Sequence, residues 1–134
     1  MKVVIDTNVV ISAALGSRTC SKAVLEALDQ GVIEPQIFAQ ELRRFIMKLK
    51  EKEKYRHIEL EHLSNFIDYF ITIVEIVDDY RLLPYSTDSP DNHFISLAAA
   101  QNALLITGDK LCLKSAQSGN VNCKMPAQYL SDSL

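Results

Sequence analysis

The stretch "KVVIDTNVVI", residues 2 to 11, sets one acid and one amide inside an otherwise apolar run. Val3, Val4 and Ile5 read as a buried strand over residues 2–6, and Val9, Val10 and Ile11 resume the apolar pattern. Asp6, Thr7 and Asn8 interrupt it. A buried carboxylate is unfavourable by several kcal/mol unless something pairs with it. A turn, a helix cap or a metal ion could each satisfy Asp6, so the rest of the chain has to decide.

Working outward, "ALLIT" at 103–107 is the clearest late strand, closed by Gly108 and followed at once by Asp109. Between the two runs the periodicity is helical. Residues 19–30 carry Ala23, Val24, Ala27 and Leu28 at helical spacing, and Gly31 stops that helix. Val32 and Ile33 allow only a brief strand before Pro35, which suits the first turn of a new helix. There Leu42, Phe45, Ile46 and Leu49 form the inward stripe. Another apolar helix is expected over about 58–72, running into "ITIVEIV", which alternates like a strand. "YSTDSPDNHF" supplies turn chemistry, "ISLAAAQN" a small-residue helix, and about 127–133 a last helix.

Strands alternating with helices predict an α/β fold, three-layer α/β/α, with a mainly parallel, doubly wound sheet. The length, 134 residues, predicts a single domain over 1–134. In such sheets ligands bind outside the carboxyl ends of the strands. Asp6 and Asp109 both arrive there, from opposite ends of the sequence.

Composition narrows the class. Hydrophobic residues make up 48%, enough for a core, and the scarcity of Gly and Pro (four each) argues against disorder. Cys20, Cys112 and Cys123 are odd in number, fit no zinc spacing and point to a reducing cytoplasm. Neither a signal-peptide core nor a run near the ~18 residues of a membrane span is present, so no membrane is expected. Net charge is −3, yet Arg43, Arg44, Lys48, Lys50, Lys52, Lys54 and Arg56 cluster with only Glu51 and Glu53 against them. The segment 43–56 carries +5 and the remainder −8. Such asymmetry marks a candidate binding surface, although a solvated helix face reads the same way.

Several chemistries are excluded. Glycine occurs only at 16, 31, 108 and 119, so neither a P-loop nor a dinucleotide fingerprint can be built. A G-x-S-x-G elbow is absent, and His57, His62 and His93 lack motif context and read as surface histidines.

Four stretches together, "VIDTNVVISA", "AQELRRF", "SPDNHFISLAAAQNALLITGDK" and "MPAQYL", resemble the PIN domain. More narrowly, they resemble toxin components of bacterial toxin–antitoxin systems related to the VapC ribonucleases. The resemblance covers nearly the whole chain in the right order. It implies that Asp6, Glu41, Asp91 and Asp109 are catalytic and hold metal, with Asn8, Ser12 and Thr107 as polar neighbours of the metal site. Two departures stand out. The chain reads "GDKLCL" where the family often has "GDKDLL", placing Leu111 at a usual acid. Asp88, Ser89 and Pro90 also stand where an Asp-Pro-x run is common.

Each acid also has a structural explanation. Asp6 suits a cap on the turn after its strand, Glu41 favours the early turns of its helix through the dipole, and Asp91 and Asp109 suit N-caps. Jointly the balance changes. At ~5 Å and an effective dielectric of ~20, each carboxylate pair repels by roughly 3 kcal/mol, so four converging acids call for protonation or a divalent cation. All-oxygen ligands suit Mg2+ or Mn2+.

The implied chemistry is metal-assisted phosphodiester hydrolysis, and the PIN resemblance implies an endoribonuclease acting on single-stranded RNA. Arg43, Arg44, Lys48 and Lys110 are the expected phosphate contacts. A cognate antitoxin and a second copy of the chain are the other expected partners. The chief rival is a catalytically weak or inactive PIN-like module that binds nucleic acid or protein, which Leu111 keeps alive. A metal-dependent phosphatase is weaker, because "DTN" lacks the second aspartate of a D-x-D site.

Overall fold

The computed structural model describes residues 1–52 and 60–133. Strand β1 (Val3–Ile5) is buried on both faces, as its unbroken apolar run requires. It pairs in parallel with β4 (Leu104–Ile106), in the register Val3–Leu104, Val4–Leu105, Ile5–Ile106. On the far side of β4 lies β5 (Cys123–Lys124), also parallel. A second parallel pair, β2 (Ile33–Glu34) and β3 (Glu75–Ile76), joins the first through one bridge between Val3 and Val32. The strand order is therefore β3-β2-β1-β4-β5. Succession runs one way from β1 to β3 and the other way from β4 to β5, so the switch point lies between β1 and β4.

Helices fill the crossovers: α1 (Thr7–Ala14), α2 (Arg18–Gln30), α3 (Gln36–Glu51) and α4 (Leu60–Ile73) precede β3. Then come α5 (Ser89–Gln101), α6 (Lys110–Ser118) and α7 (Pro126–Asp132). Right-handed crossovers put the first group on one face and α5 and α6 on the other. In agreement, α1 packs on α2, α3 on α4 and α7 on α2, whereas α5 packs on β1, β4 and α6. This is the expected three-layer, doubly wound α/β fold. The core is built on Phe38, Phe70 and Phe94, all fully buried, with the rings of Phe38 and Phe70 5.8 Å apart.

Gly31 ends α2 with φ 99°, a conformation open to glycine, and Pro35 stands at the N-cap of α3. The inward stripe of α3 holds with one amendment: Leu42, Ile46 and Leu49 are buried, Phe45 only partly.

Two elements carried no expectation, and one expectation needs correction. Val9 to Ile11 continue into helix α1, which starts directly after Asp6. The "YSTDSPDNHF" stretch is not all turn: α5 begins at Ser89, with Pro90 in its first turn, so Asp91 lies inside the helix and Asp88 takes the N-cap position. Strand β5 was not expected, because two residues of mixed polarity carry no pattern. The expected start of α4 at 58, with Lys54, Arg56 and His57, lies outside the described residues. Among the described residues no helix is long and apolar enough to cross a membrane.

Candidate metal centre

Four elements carry acids to the carboxyl end of the sheet, where they line one cavity of about 350 Å3. Asp6 follows β1, Asp109 follows β4 by three residues, Glu41 projects from α3 and Asp91 from the first turn of α5. Thr7, Asn8, Ile11, Asp88 and Pro90 complete the acidic side of the cavity, and Arg44 and Lys48 stand on its wall from α3.

Asp6 occupies the N-cap position of α1 without making a side-chain cap bond. Its Oδ2 instead accepts a 2.7 Å hydrogen bond from Thr107 Oγ1, across the β1–β4 seam. The Asp6 amide is held there too, donating to the Ile106 carbonyl at 2.8 Å. Burial pushes the Asp6 carboxyl up to about 6; the Thr107 bond pulls the other way, and the Glu41 and Asp109 charges add to the rise. Asp91 is pushed up to about 7, first by burial and then by the charges of Asp6, Asp88, Asp109 and Glu41. Its Oδ2 is buried and has no hydrogen-bond partner among the described residues. A buried, partnerless carboxylate oxygen facing other carboxylates is what a cation would complete.

Glu41 is oriented by the Thr7 hydroxyl, which donates to its Oε1 at 2.7 Å. Asp109 does cap α6: its Oδ1 accepts from the Leu111 amide at 2.8 Å and the Cys112 amide at 3.3 Å. Asp109 thus acts as the N-cap of α6 through its Oδ1, and its Oδ2 stays outside the cap. Asn8, though exposed, reaches across the seam to accept from the Gly108 amide at 3.4 Å.

The remaining expected residues are less central. Ser12 is half-buried on α1 and does not line the cavity. Arg43 and Lys110 are exposed and also lie off the lining, whereas Arg44 and Lys48 are on it. Leu111 is 47% exposed in the first turn of α6. His62 is exposed, and His93 is half-buried with its Nδ1 2.8 Å from the Tyr80 hydroxyl.

Sequence reasoning missed three groups. Carboxylate oxygens of Asp88, Asp91 and Asp109 lie within 4.8 Å of one another, so Asp88 joins the set. The loop carrying it is tied to α5: the Ser86 amide donates to Asn92 Oδ1 at 2.7 Å and Asn92 Nδ2 to the Ser86 carbonyl at 3.1 Å. Cys112 Sγ lies within the same reach of Asp6 and Asp91, but burial and those two carboxylates push its thiol well above the usual range. A neutral thiol is a poor ligand for a hard cation, so the donor set is one of oxygens. Glu34 is fully buried at the end of β2; burial, then the Asp6 and Glu41 charges, push its carboxyl well above the usual range. The all-oxygen set, two raised carboxyls and the partnerless Asp91 oxygen fit a hard divalent ion.

Comparison with known proteins agrees with this architecture. The chain is 26% identical over 133 residues to an uncharacterized protein, MJ1680, of Methanocaldococcus jannaschii, covering 94% of this chain and 86% of that one. Among solved structures it resembles VapBC2 from Rickettsia felis, bound to a DNA fragment from their promoter. That TM-score is 0.63 at 17% identity, over 93% of this chain and 98% of the other. It also resembles PAE2754 from Pyrobaculum aerophilum, with TM-score 0.68 at 9% identity over 98% and 94%. The PIN domain model matches residues 2–111, which takes in β1, the four acids and the start of α6, and the chain belongs to the PIN domain family.

Proposed function

We propose that the protein is a Mg2+- or Mn2+-dependent endoribonuclease that hydrolyses single-stranded RNA, the toxin of a toxin–antitoxin pair. The observation that carries this reading is the convergence of Asp6, Glu41, Asp91 and Asp109 on one cavity, where the buried Asp91 Oδ2 lacks a partner. PIN membership supports the nuclease class, and the likeness to a VapBC2 complex supports an antitoxin partner.

Asp6, Glu41, Asp91 and Asp109, which line the one cavity, would hold the ion. When bound, the ion supplies Lewis acidity to a water nucleophile and charge to the scissile phosphate. Thr107 favours the ionised form of Asp6 and orients it, and the Thr7 hydroxyl orients Glu41. Arg44 and Lys48 seat the RNA backbone against the acids, offsetting a chain whose net charge is −3. Water adds to phosphorus as the bond from phosphorus to the departing ribose oxygen breaks, and the proton lost by the water ends on that oxygen.

Cleavage of an RNA panel with Mn2+, in EDTA, and with Asp6→Asn tests the reading. Mn2+-dependent cleavage lost in Asp6→Asn is the expected result. RNA bound but never cut, at any Mn2+ concentration, would replace the enzyme by a binding module.

A further inference from the structure

Glu34 breaks a local rule. A carboxyl at the end of a short central strand, with no exposure at all, is a poor choice where an apolar side chain would pack. The backbone around it shows what it holds. The ladder between β1 and β2 has a single bridge, Val3 to Val32, with the Val3 amide donating to the Gly31 carbonyl at 3.0 Å. In a parallel ladder the next rung would run from the Ile5 amide to the Ile33 carbonyl. Instead the Ile5 amide donates to Glu34 Oε1 at 2.8 Å. A side chain has taken the place of a backbone rung, one residue before Asp6.

The strand end that carries Asp6 is thus held from two sides. The Asp6 amide is anchored on β4 through the Ile106 carbonyl, and the Ile5 amide is anchored on β2 only through the Glu34 carboxyl. Among the described residues no backbone hydrogen bond on the β2 side repeats that hold beyond the bridge. Glu34 Oε2 has no hydrogen-bond partner among the described residues, so the carboxyl is kept at a cost that satisfying one amide does not explain. Departures of this kind from a locally consistent sequence are expected where a site has to be held in place.

We propose that Glu34 is a positioning residue for the metal centre: by accepting from the Ile5 amide it fixes the end of β1 and so the aim of the Asp6 carboxylate. This rests on the metal reading above. Groups one step behind metal ligands change affinity by about 10- to 100-fold when lost. Glu34 is expected to act in the same way, through the backbone.

Glu34→Met keeps the bulk and removes the acceptor; Glu34→Gln keeps an oxygen that can accept from Ile5. Titration with Mn2+ by calorimetry should show about tenfold weaker binding in Glu34→Met and near wild-type binding in Glu34→Gln. In metal-free buffer, amide hydrogen exchange at Ile5 should accelerate in Glu34→Met and not in Glu34→Gln. Leu63→Ala, in the buried stripe of α4 away from the cavity lining, is the destabilised control and should keep its Mn2+ affinity. Unchanged Mn2+ affinity in Glu34→Met, or an equal loss in Leu63→Ala, overturns the assignment alone. A wild-type protein that binds no Mn2+ overturns the metal reading and this assignment with it. Should Glu34→Met fail to fold, an ester in place of the Ile5 amide removes the donor instead, and retained Mn2+ affinity there overturns the assignment.

Discussion

Thr107 Oγ1 donates to Asp6 Oδ2 at 2.7 Å across 101 residues of sequence, and the same hydroxyl oxygen accepts from the Asp109 amide at 3.1 Å. One side chain therefore couples the acid after β1 to the acid after β4 at the switch point of the sheet. The bond to Asp6 opposes the rise that burial causes in that carboxyl.

Thr107→Val keeps the shape and deletes the hydroxyl. The Asp6 carboxyl should then climb above its value of about 6, so that less of it is ionised near neutral pH. Mn2+ affinity at pH 7 should fall by about tenfold and recover as pH is raised. Calorimetric titrations at pH 6, 7 and 8 measure this. A Thr107→Val protein whose Mn2+ affinity has the wild-type pH dependence would leave the hydroxyl a packing role only.

Stability should depend on pH with opposite signs in the absence and presence of metal. Asp6 at about 6 and Asp91 at about 7 both lie above their ordinary 3.8. The protonated carboxyls thus favour the fold. Their contribution is complete below pH ~4 and is lost as pH climbs through the two folded values. In EDTA the unfolding free energy should decline between pH 4 and 7.5, and Asp6→Asn should decline less steeply. With Mn2+ the trend reverses, since the ligands must ionise to bind; at a hundred times Kd the stabilisation is about 2.7 kcal/mol. Urea melts at several pH values, with and without Mn2+, read both signs. Metal-free stability that rises from pH 5 to 7.5 would contradict the raised carboxyls.

Asp88 gives a sharper test of which acids matter. It stands at the N-cap of α5 but makes no side-chain cap bond, and its carboxylate groups with those of Asp91 and Asp109. Asn is as good an N-cap as Asp, so Asp88→Asn should leave thermal stability within about 0.5 kcal/mol. If Asp88 shares the ion, the same change should weaken Mn2+ binding clearly. Equal Mn2+ affinity with equal stability would return Asp88 to the surface.

The sequence made some of this legible and hid the rest for identifiable reasons. Strands β1 and β4 stand out because burial on both faces leaves short apolar runs ended by Asp6 and Gly108. Their parallel pairing puts Asp6 and Asp109 together without any resemblance to a known family. Glu41 and Asp91 came only from the resemblance, because an acid on a helix reads equally well as solvated surface. Helix α1 was hidden because Val9, Val10 and Ile11 extend the apolar pattern of the strand before them. The start of α5 was read as turn because Asp88, Ser89 and Pro90 are turn residues and helix-start residues alike. Glu34 left no signal at all: its role depends on a backbone rung that β1 and β2 do not make, which only the fold reveals.

The basic wall of the cavity carries the last prediction. Arg44 and Lys48 lie three and seven positions beyond Glu41, so a helix sets all three on one face, beside the buried stripe of Leu42, Ile46 and Leu49. The structure puts both cations on the lining that Asp6 and Glu41 share, while Arg43 points elsewhere on the exposed surface. A phosphate held by them would sit beside the acids. Each phosphate contact on a single strand contributes about 0.7 to the slope of log affinity against log salt. Replacing Arg44 and Lys48 by Gln should therefore weaken RNA binding and flatten that slope by roughly 1.4, with Mn2+ affinity unchanged. The measurement is RNA binding in EDTA at 50 to 200 mM salt, beside Mn2+ calorimetry on the same variant. An acidic antitoxin segment would find this wall equally attractive. If the double variant keeps its RNA affinity and salt slope but loses antitoxin binding, the wall serves the partner and the RNA track lies elsewhere.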